Sequence, residues 1–196
     1  MQPIEAIGTI HGTLTKLIMP EIKHQKKKRG MLTPQGWWQS PVAGKVHFQS
    51  KYEKLMMEWL DEHQVKWQKC KERFPYISPF DGKEHKYNPD FILEDSEGNS
   101  IYIEVKGMVR AADPAKFSAF PQGRTLVLLG YDELKRLGLD VWDPMEKMKG
   151  KTLEDLQGRW PYNLLQQMPD FLEKGELTEE LRAKVSSDIF FEKFVH

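Results

Sequence analysis

The chain predicts an α/β fold on three observations: a helical apolar pattern opening at Ser50, a hairpin of alternating apolar residues around Asp95–Asn99, and a strand–helix–strand run from Ile101 to Leu129. The helix comes first. Tyr52, Leu55, Met56, Trp59 and Leu60 recur at three-to-four spacing, and Ser50-x-x-Glu53 has the form of a capping box, in which Ser50 accepts from the Glu53 amide. The hairpin follows, with Tyr87 to Leu93 and Ile101 to Gly107 reading as strands on either side of the turn Asp95-Ser96-Glu97-Gly98-Asn99. Asp113-Pro114 then predicts a helix with Asp113 as N-cap and proline at the first helical position. Leu126 to Leu129 reads as a buried strand, so the segment from the hairpin onward forms a crossover, right-handed by the usual rule.

The flanks read differently. Up to residue 47 there is no long periodic pattern, and Pro, Gly and the run Lys23-His24-Gln25-Lys26-Lys27-Lys28-Arg29 punctuate the segment. Residues 1–47 are therefore expected to be a basic arm, 48–144 the core and 145–196 a helical C-terminal extension. In the last third, Asp132 to Leu137 predicts a short helix ended by Gly138. Thr178 caps a pattern carried by Leu177, Leu181, Val185 and Ile189, and Phe190 and Phe194 extend it. That helix is a candidate dimer element. The pair Trp37-Trp38 is expected to pack against the core, base stacking being the less common use of indoles at such a position.

Net charge is zero, but its distribution is uneven: +5 over residues 1–49, −2 over 50–150 and −3 over 151–196. The basic excess of Lys26, Lys27, Lys28 and Arg29 can follow phosphates without reading sequence. A single cysteine, Cys70, excludes an internal disulfide and a Cys-based zinc cluster and suits a reducing compartment. No long apolar run predicts a membrane span, and the first twenty residues lack the apolar core of a secretion signal. A cytoplasmic location is the expectation. The six histidines are scattered without the close pairs of zinc hydrolases, and neither a P-loop nor a dinucleotide fingerprint is present.

Charges inside the two apolar strands require a reason. Glu104 and Lys106 are two apart, so they leave one face of their strand while Val105 leaves the other, and the antiparallel partner brings Asp90 towards them. Two carboxylates and an ammonium on one sheet face supply oxygen ligands for a divalent cation and a charge beside an attacking water.

Pro89-Asp90 followed by Glu104-Val105-Lys106 resembles the PD-(D/E)XK nuclease signature. A second Pro-Asp-Phe, at Pro169-Asp170-Phe171, has no following E-x-K strand and reads as a turn and helix start. An upstream helical acid, a Trp-containing strand, Pro75-Tyr76, Pro79, a basic turn and Tyr87-x-Pro89-Asp90-Phe91 are similar to phage-type nucleases. These include junction-resolving and head-completion endonucleases and, more distantly, endonucleases that cleave transposon ends. The similarity spans roughly residues 48 to 130. It implies a restriction-endonuclease-like core of helix, three-stranded meander, helix and strand, and metal-dependent hydrolysis of DNA phosphodiesters in phage or mobile-element biology. Asp90, Glu104 and the carbonyl of Val105 would hold Mg²⁺, with Mn²⁺ as a substitute and Glu53 assisting directly or through water. Lys106 would orient or deprotonate the water. Arg110, Lys116 and Arg124 are candidate phosphate contacts alongside the arm. DNA is the implied partner. A homodimer or a phage or mobile-element assembly partner is expected from function alone, and a phage-encoded protein would act in the host cytoplasm. The competing reading is an inactive nucleic-acid-binding or assembly protein on a nuclease-like scaffold.

Overall fold

Along the chain, a hairpin of β1 (Gly36–Ser40) and β2 (Gly44–Phe48) precedes helix α1 (Lys51–Glu62) and strand β3 (Trp67–Lys69). A second hairpin, β4 (Phe74–Ile77) and β5 (Glu84–Tyr87), leads into β6 (Phe91–Glu94), β7 (Ser100–Val105) and β8 (Met108–Arg110). Helix α2 (Asp113–Ser118), β9 (Thr125–Leu129), α3 (Tyr131–Arg136), β10 (Arg159–Pro161) and α4 (Asp188–Phe194) complete the order. The computed structural model describes residues 35–110, 112–144, 146, 149–151, 159–161 and 183–195.

The mixed α/β architecture centres on a four-stranded sheet of order β3-β6-β7-β9, with β7 and β9 parallel and the other pairs antiparallel. The Asp95 turn sets its register. Asp95 Oδ1 accepts from the amides of Glu97 at 2.9 Å and Asn99 at 2.8 Å, and Gly98 takes φ +83°, which an L side chain disfavours. Phe91 then faces Ile103, and Leu93 faces Ile101.

Period-two alternation splits the side chains between two cores. Phe91, Leu93, Ile101, Ile103, Val105, Val127 and Leu129 join Met56, Trp59 and Leu60 of α1 and Phe190 of α4. Tyr102, Leu126 and Leu128 join Phe117, Phe120, Phe74, Tyr87 and Val185 on the other side. Both faces of the sheet are therefore covered. Each fully buried large apolar side chain contributes about 1.5–3 kcal/mol, which anchors the strand ends that carry the charged residues.

Three local expectations are corrected. The stretch before residue 48 is not without regular structure: Gly36–Phe48 is a hairpin whose Ser40 Oγ accepts from the amides of Val42 and Ala43. Its five-residue strands are too short to show a period against the intervening Pro and Gly. Tyr87 and Phe91 do not lie on one strand, because Asn88-Pro89-Asp90 interrupts β5 and β6; proline supplies no amide to a ladder. Asp113 is not the N-cap of α2. Ala112 takes that place, and the Asp113 carboxylate turns back to accept from the Arg110 amide at 2.9 Å.

Trp38 packs as expected of a core indole. Its Nε1 donates to Asp61 Oδ2 at 2.8 Å, while Ser40 Oγ and Trp67 Nε1 donate to Oδ1 at 2.6 and 2.9 Å. Asp61 thus ties β1 and β3 to α1. Trp37 is exposed, beside Lys45 and His47. The arm residues Lys26, Lys27, Lys28 and Arg29, the second Pro-Asp-Phe, and Leu177, Thr178 and Leu181 lie outside the described residues. Val185 is buried in a turn just before α4, which begins at Asp188. Among the described residues no helix is long and apolar enough to cross a membrane.

Candidate active site

The hairpin register dictates the centre of the site. Extending the Phe91–Ile103 pairing by one residue sets Asp90 opposite Glu104. The Asp90 amide donates to the Ile103 carbonyl at 2.9 Å, and Asp90 Oδ2 accepts from the Val105 amide, also at 2.9 Å. Asp90 is thereby fixed at the point where β6 begins and β7 ends. Glu104, 5% exposed, faces away from the α1 side of the sheet; its Oε2 accepts from the Tyr87 hydroxyl at 3.1 Å and its Oε1 meets Lys106 Nζ at 2.7 Å.

Glu53 arrives from the other side of the sheet. Ser50 caps α1 by accepting from the Glu53 amide at 3.0 Å, as the sequence predicts. The Glu53 carboxylate returns to the Gln49 amide at 3.2 Å and simultaneously meets Lys69 Nζ at 2.7 Å. Capping and a place in the site are therefore compatible. Lys69 Nζ also lies 3.9 Å from Asp90 Oδ1, so one ammonium links Glu53 to Asp90.

On the far side, Lys106 reaches a second acid, with Nζ 3.7 Å from Asp113 Oδ2. Lys116, one turn along α2, places Nζ 2.6 Å from Asp113 Oδ1. Asp113 is fully buried. Lys106, Met108, Arg110, Asp113 and Lys116 line a pocket of about 290 Å³ beside the carboxylates. Gly107 permits a close approach there: a Cβ would stand 3.0 Å from the ring of Tyr52, the residue before Glu53.

The electrostatics follow from this crowding. Burial, then the Glu104 and Glu53 carboxylates, pushes the Asp90 carboxyl well above its ordinary value, while Lys69 and the Val105 amide act in the opposite direction. Burial disfavours the Lys106 ammonium, but Glu104, Asp113 and Asp90 outweigh it and raise its pKa, so Lys106 is charged at neutral pH. Burial also acts against the charge of Asp113; Lys106 and then Lys116 prevail, and its pKa is lowered. The Tyr87 phenol is driven well up by burial and then by Glu104, which keeps it protonated and donating. Cys70, next to Asp90 in the chain path, has its thiol pushed up to about 11, chiefly by burial, and is a poor nucleophile.

Among the described residues, no three His, Cys, Asp or Glu side chains form a ready ligand cluster. Instead, lysine ammoniums stand beside the acids: Lys69 against Glu53 and Asp90, Lys106 against Glu104. The donor set is oxygen-rich, and Asp90 is raised first by burial and then by the Glu104 and Glu53 carboxylates. That combination fits a hard divalent cation.

The structure thus brings Glu53, Asp90, Glu104, Val105 and Lys106 together, with Arg110 and Lys116 at the adjoining pocket. Arg124 is not among them. It sits at the opposite end of β7, paired with Glu72 and the Tyr102 hydroxyl and lying over the rings of Phe74 and Tyr102. His85 is held by Asp81 at 2.9 Å. Sequence reasoning missed Lys69 and Asp113. Lys69 carries a usable signal, since it lies two residues after the buried Trp67 and so on its face; Asp113 was masked by its resemblance to a cap.

Residues 35–119, which contain Glu53, Asp90, Glu104, Lys106 and Asp113, match the family described as Phage endonuclease I. Over this segment the chain is similar to phage endonucleases. It is also 31% identical over 74 residues to the head completion nuclease of Enterobacteria phage T4. That match covers 37% of this chain and 49% of the T4 protein, so the chain spans about half the length of the curated relative it matches. No solved structure matches. The similarity to phage endonucleases thus extends across the whole carboxylate and lysine arrangement and stops near the end of α2.

Proposed function

We propose that this protein is a metal-dependent endodeoxyribonuclease of the PD-(D/E)XK class, built on a restriction-endonuclease-like core of α1, the β3-β6-β7 meander, α2 and β9. The observation that carries the reading is the convergence of Asp90, Glu104 and Lys106 at one end of a covered sheet, with Glu53 reaching it through Lys69. Asp90, Glu104 and the Val105 carbonyl would hold Mg²⁺, or Mn²⁺ in its place, with Glu53 contributing directly or through water. The cation would supply Lewis acidity towards a phosphoryl oxygen and make water more acidic.

The chain's own residues do the remainder. Lys106, charged and fixed between Glu104 and Asp113, orients the attacking water and offsets charge gathering on the phosphoryl oxygens. It is a poor general base, because its acid neighbours hold its proton. Tyr87 keeps one Glu104 oxygen in place. Hydrolysis joins the water oxygen to phosphorus as the bridging P–O bond breaks, and the leaving oxygen takes up a proton. DNA is the partner, and cutting both strands of a duplex favours a two-fold assembly or an assembly partner. The site of action is the cytoplasm.

A second reading has a specific observation in its favour: Glu53 and Glu104 already own lysine partners, as structural ion pairs would. In that case the protein binds nucleic acid or an assembly partner without cutting. Incubating the purified protein with supercoiled plasmid and a branched DNA, in Mg²⁺, Mn²⁺ or EDTA, separates the two. Metal-dependent cleavage abolished by Asp90→Asn and by Lys106→Ala is expected. A fully active Lys106→Ala protein would refute the mechanism, and DNA binding without cleavage would select the second reading.

A further inference from the structure

We propose that the pocket between β8 and α2 is a phosphate subsite, which holds the phosphodiester adjacent to the scissile one through Arg110 and Lys116, with buried Asp113 as the residue that positions the lysines. The inference rests on the nuclease reading. It goes beyond it by assigning a backbone contact to a definite place.

The lining is almost wholly charged. Three cations, Lys106, Arg110 and Lys116, face one acid, and Met108 is the sole apolar member. An apolar ligand finds little surface there, whereas an anion finds an excess of two positive charges in the lining, and of one when the Glu104 carboxylate beside Lys106 is counted. The pocket, of about 290 Å³, has room for a phosphate group.

Asp113 organises the cations. A single carboxylate, 1% exposed in its side chain, meets both ammoniums and the Arg110 amide, which limits where the lysines and the β8 end can go. Lys106 and Lys116 remain about one-fifth exposed and so can each donate to a ligand. Arg110 is exposed, and among the described residues no acid pairs with its guanidinium, leaving its planar fork available for phosphate oxygens.

Adjacency to the scissile group follows from Lys106. Its ammonium touches Glu104 on one side and approaches Asp113 on the other, so it borders both the carboxylate site and the pocket. A strand whose scissile phosphate lies at Glu104 places its next phosphate on the Lys116 side. Tyr76 stands beside that side of the pocket, its ring centroid 5.9 Å from Lys116 Nζ.

The test uses the full chain with Arg110→Gln and Lys116→Gln, checked for folding by circular dichroism. Arg110→Gln removes an exposed group without a described partner, so it keeps the test decisive even where Lys116→Gln unfolds. Duplex affinity is read by fluorescence anisotropy in EDTA across a salt series, and cleavage is read on substrates carrying one neutral methylphosphonate at successive positions. Each substitution is expected to weaken binding to all sequences alike, roughly three- to tenfold, and to reduce the salt slope by about one phosphate contact. The wild type is expected to lose cleavage rate at one position next to the cut, and the variants to be indifferent there. If the wild type cuts while both variants keep its salt slope and its methylphosphonate sensitivity, the subsite is overturned and the nuclease reading survives. If the wild type cuts nothing yet the variants lose salt slope, Arg110 and Lys116 contact backbone phosphate, but the subsite as a neighbour of a scissile phosphodiester is overturned together with the nuclease reading. Absence of any DNA binding overturns both.

Discussion

Replacing Asp113 by asparagine removes one charge and almost no volume, and the structure allows the cost to be followed contact by contact. Lys116 at 2.6 Å makes a charge-assisted hydrogen bond, which contributes about 1.5–3 kcal/mol when made to a charged group. The Arg110 amide at 2.9 Å keeps an acceptor in the amide oxygen and loses only part of its interaction. Lys106 at 3.7 Å is beyond hydrogen-bond reach of Asp113 and retains Glu104, so its share is small. Both lysines are about one-fifth exposed, and water recovers part of what they lose. The net destabilisation is about 2–3 kcal/mol, below the 3–5 kcal/mol of a wholly buried pair, and lowers Tm by about 4–12 °C in a chain of this size.

The pH dependence supplies the sign. The folded pKa of Asp113 lies below its ordinary value of 3.8, so its stabilisation is complete above that value and disappears as pH falls through the folded value. Denaturant titrations of wild type and Asp113→Asn should therefore differ fully at pH 7 and pH 5 and converge when acidified below 3.8. A gap under about 0.5 kcal/mol at pH 7, or one that persists unchanged into acid, refutes the account of Asp113 as an ionised organiser of the lysines.

Two further outcomes follow from the carboxylate side of the site. Asp90→Asn should abolish metal-dependent cleavage yet, in metal-free protein, raise stability by about 0.5–2 kcal/mol at neutral pH. Asp90 has its folded pKa raised, so the stability it contributes is present below 3.8 and lost as pH rises through the folded value. Thermal scans in EDTA check this, and an unchanged or lower Tm contradicts it. Lys69→Met should lower metal-free stability by about 1–3 kcal/mol, because Glu53 and Asp90 lose the cation between them. It should also tighten Ca²⁺ binding, followed by calorimetry without turnover; unchanged or weaker binding would show that Lys69 does not stand where the cation goes.

The parts of the site legible in the sequence are those fixed by local rules. A five-residue turn with Asp95 and Gly98 sets one register, and that register alone carries Asp90 to Glu104. Two-residue spacing sends Glu104 and Lys106 off the same face, and the Ser50 cap fixes where Glu53 starts its helix. Lys69 depends instead on β3 pairing with β6, a contact between distant segments that no local signal announces. Asp113-Pro114 shows the opposite failure. The local rule for a cap was satisfied by type, but two nearby lysines offered the carboxylate a stronger set of partners than the helix amides did. The first hairpin was hidden for a third reason: its first strand is held by Asp61, some twenty residues on, through Trp38 and Ser40.

The same sheet that stabilises the protein dictates how its charge can be arranged. Alternation sends Val105 into the α1 core and Glu104 to the α2 side, so successive residues of one strand end serve packing and chemistry in turn. A carboxylate so placed loses water, and each of the two glutamates is met by a lysine: Glu53 by Lys69 on one side, Glu104 by Lys106 on the other. Asp90 lies at the seam and receives the repulsion of both glutamates, with Lys69 only 3.9 Å away as relief. Stability alone would favour an asparagine there, which could still accept from the Val105 amide without repelling Glu53 and Glu104. An aspartate that costs the metal-free fold free energy is the expected mark of a group selected for what it binds, and a cation at Asp90 would convert that repulsion into attraction.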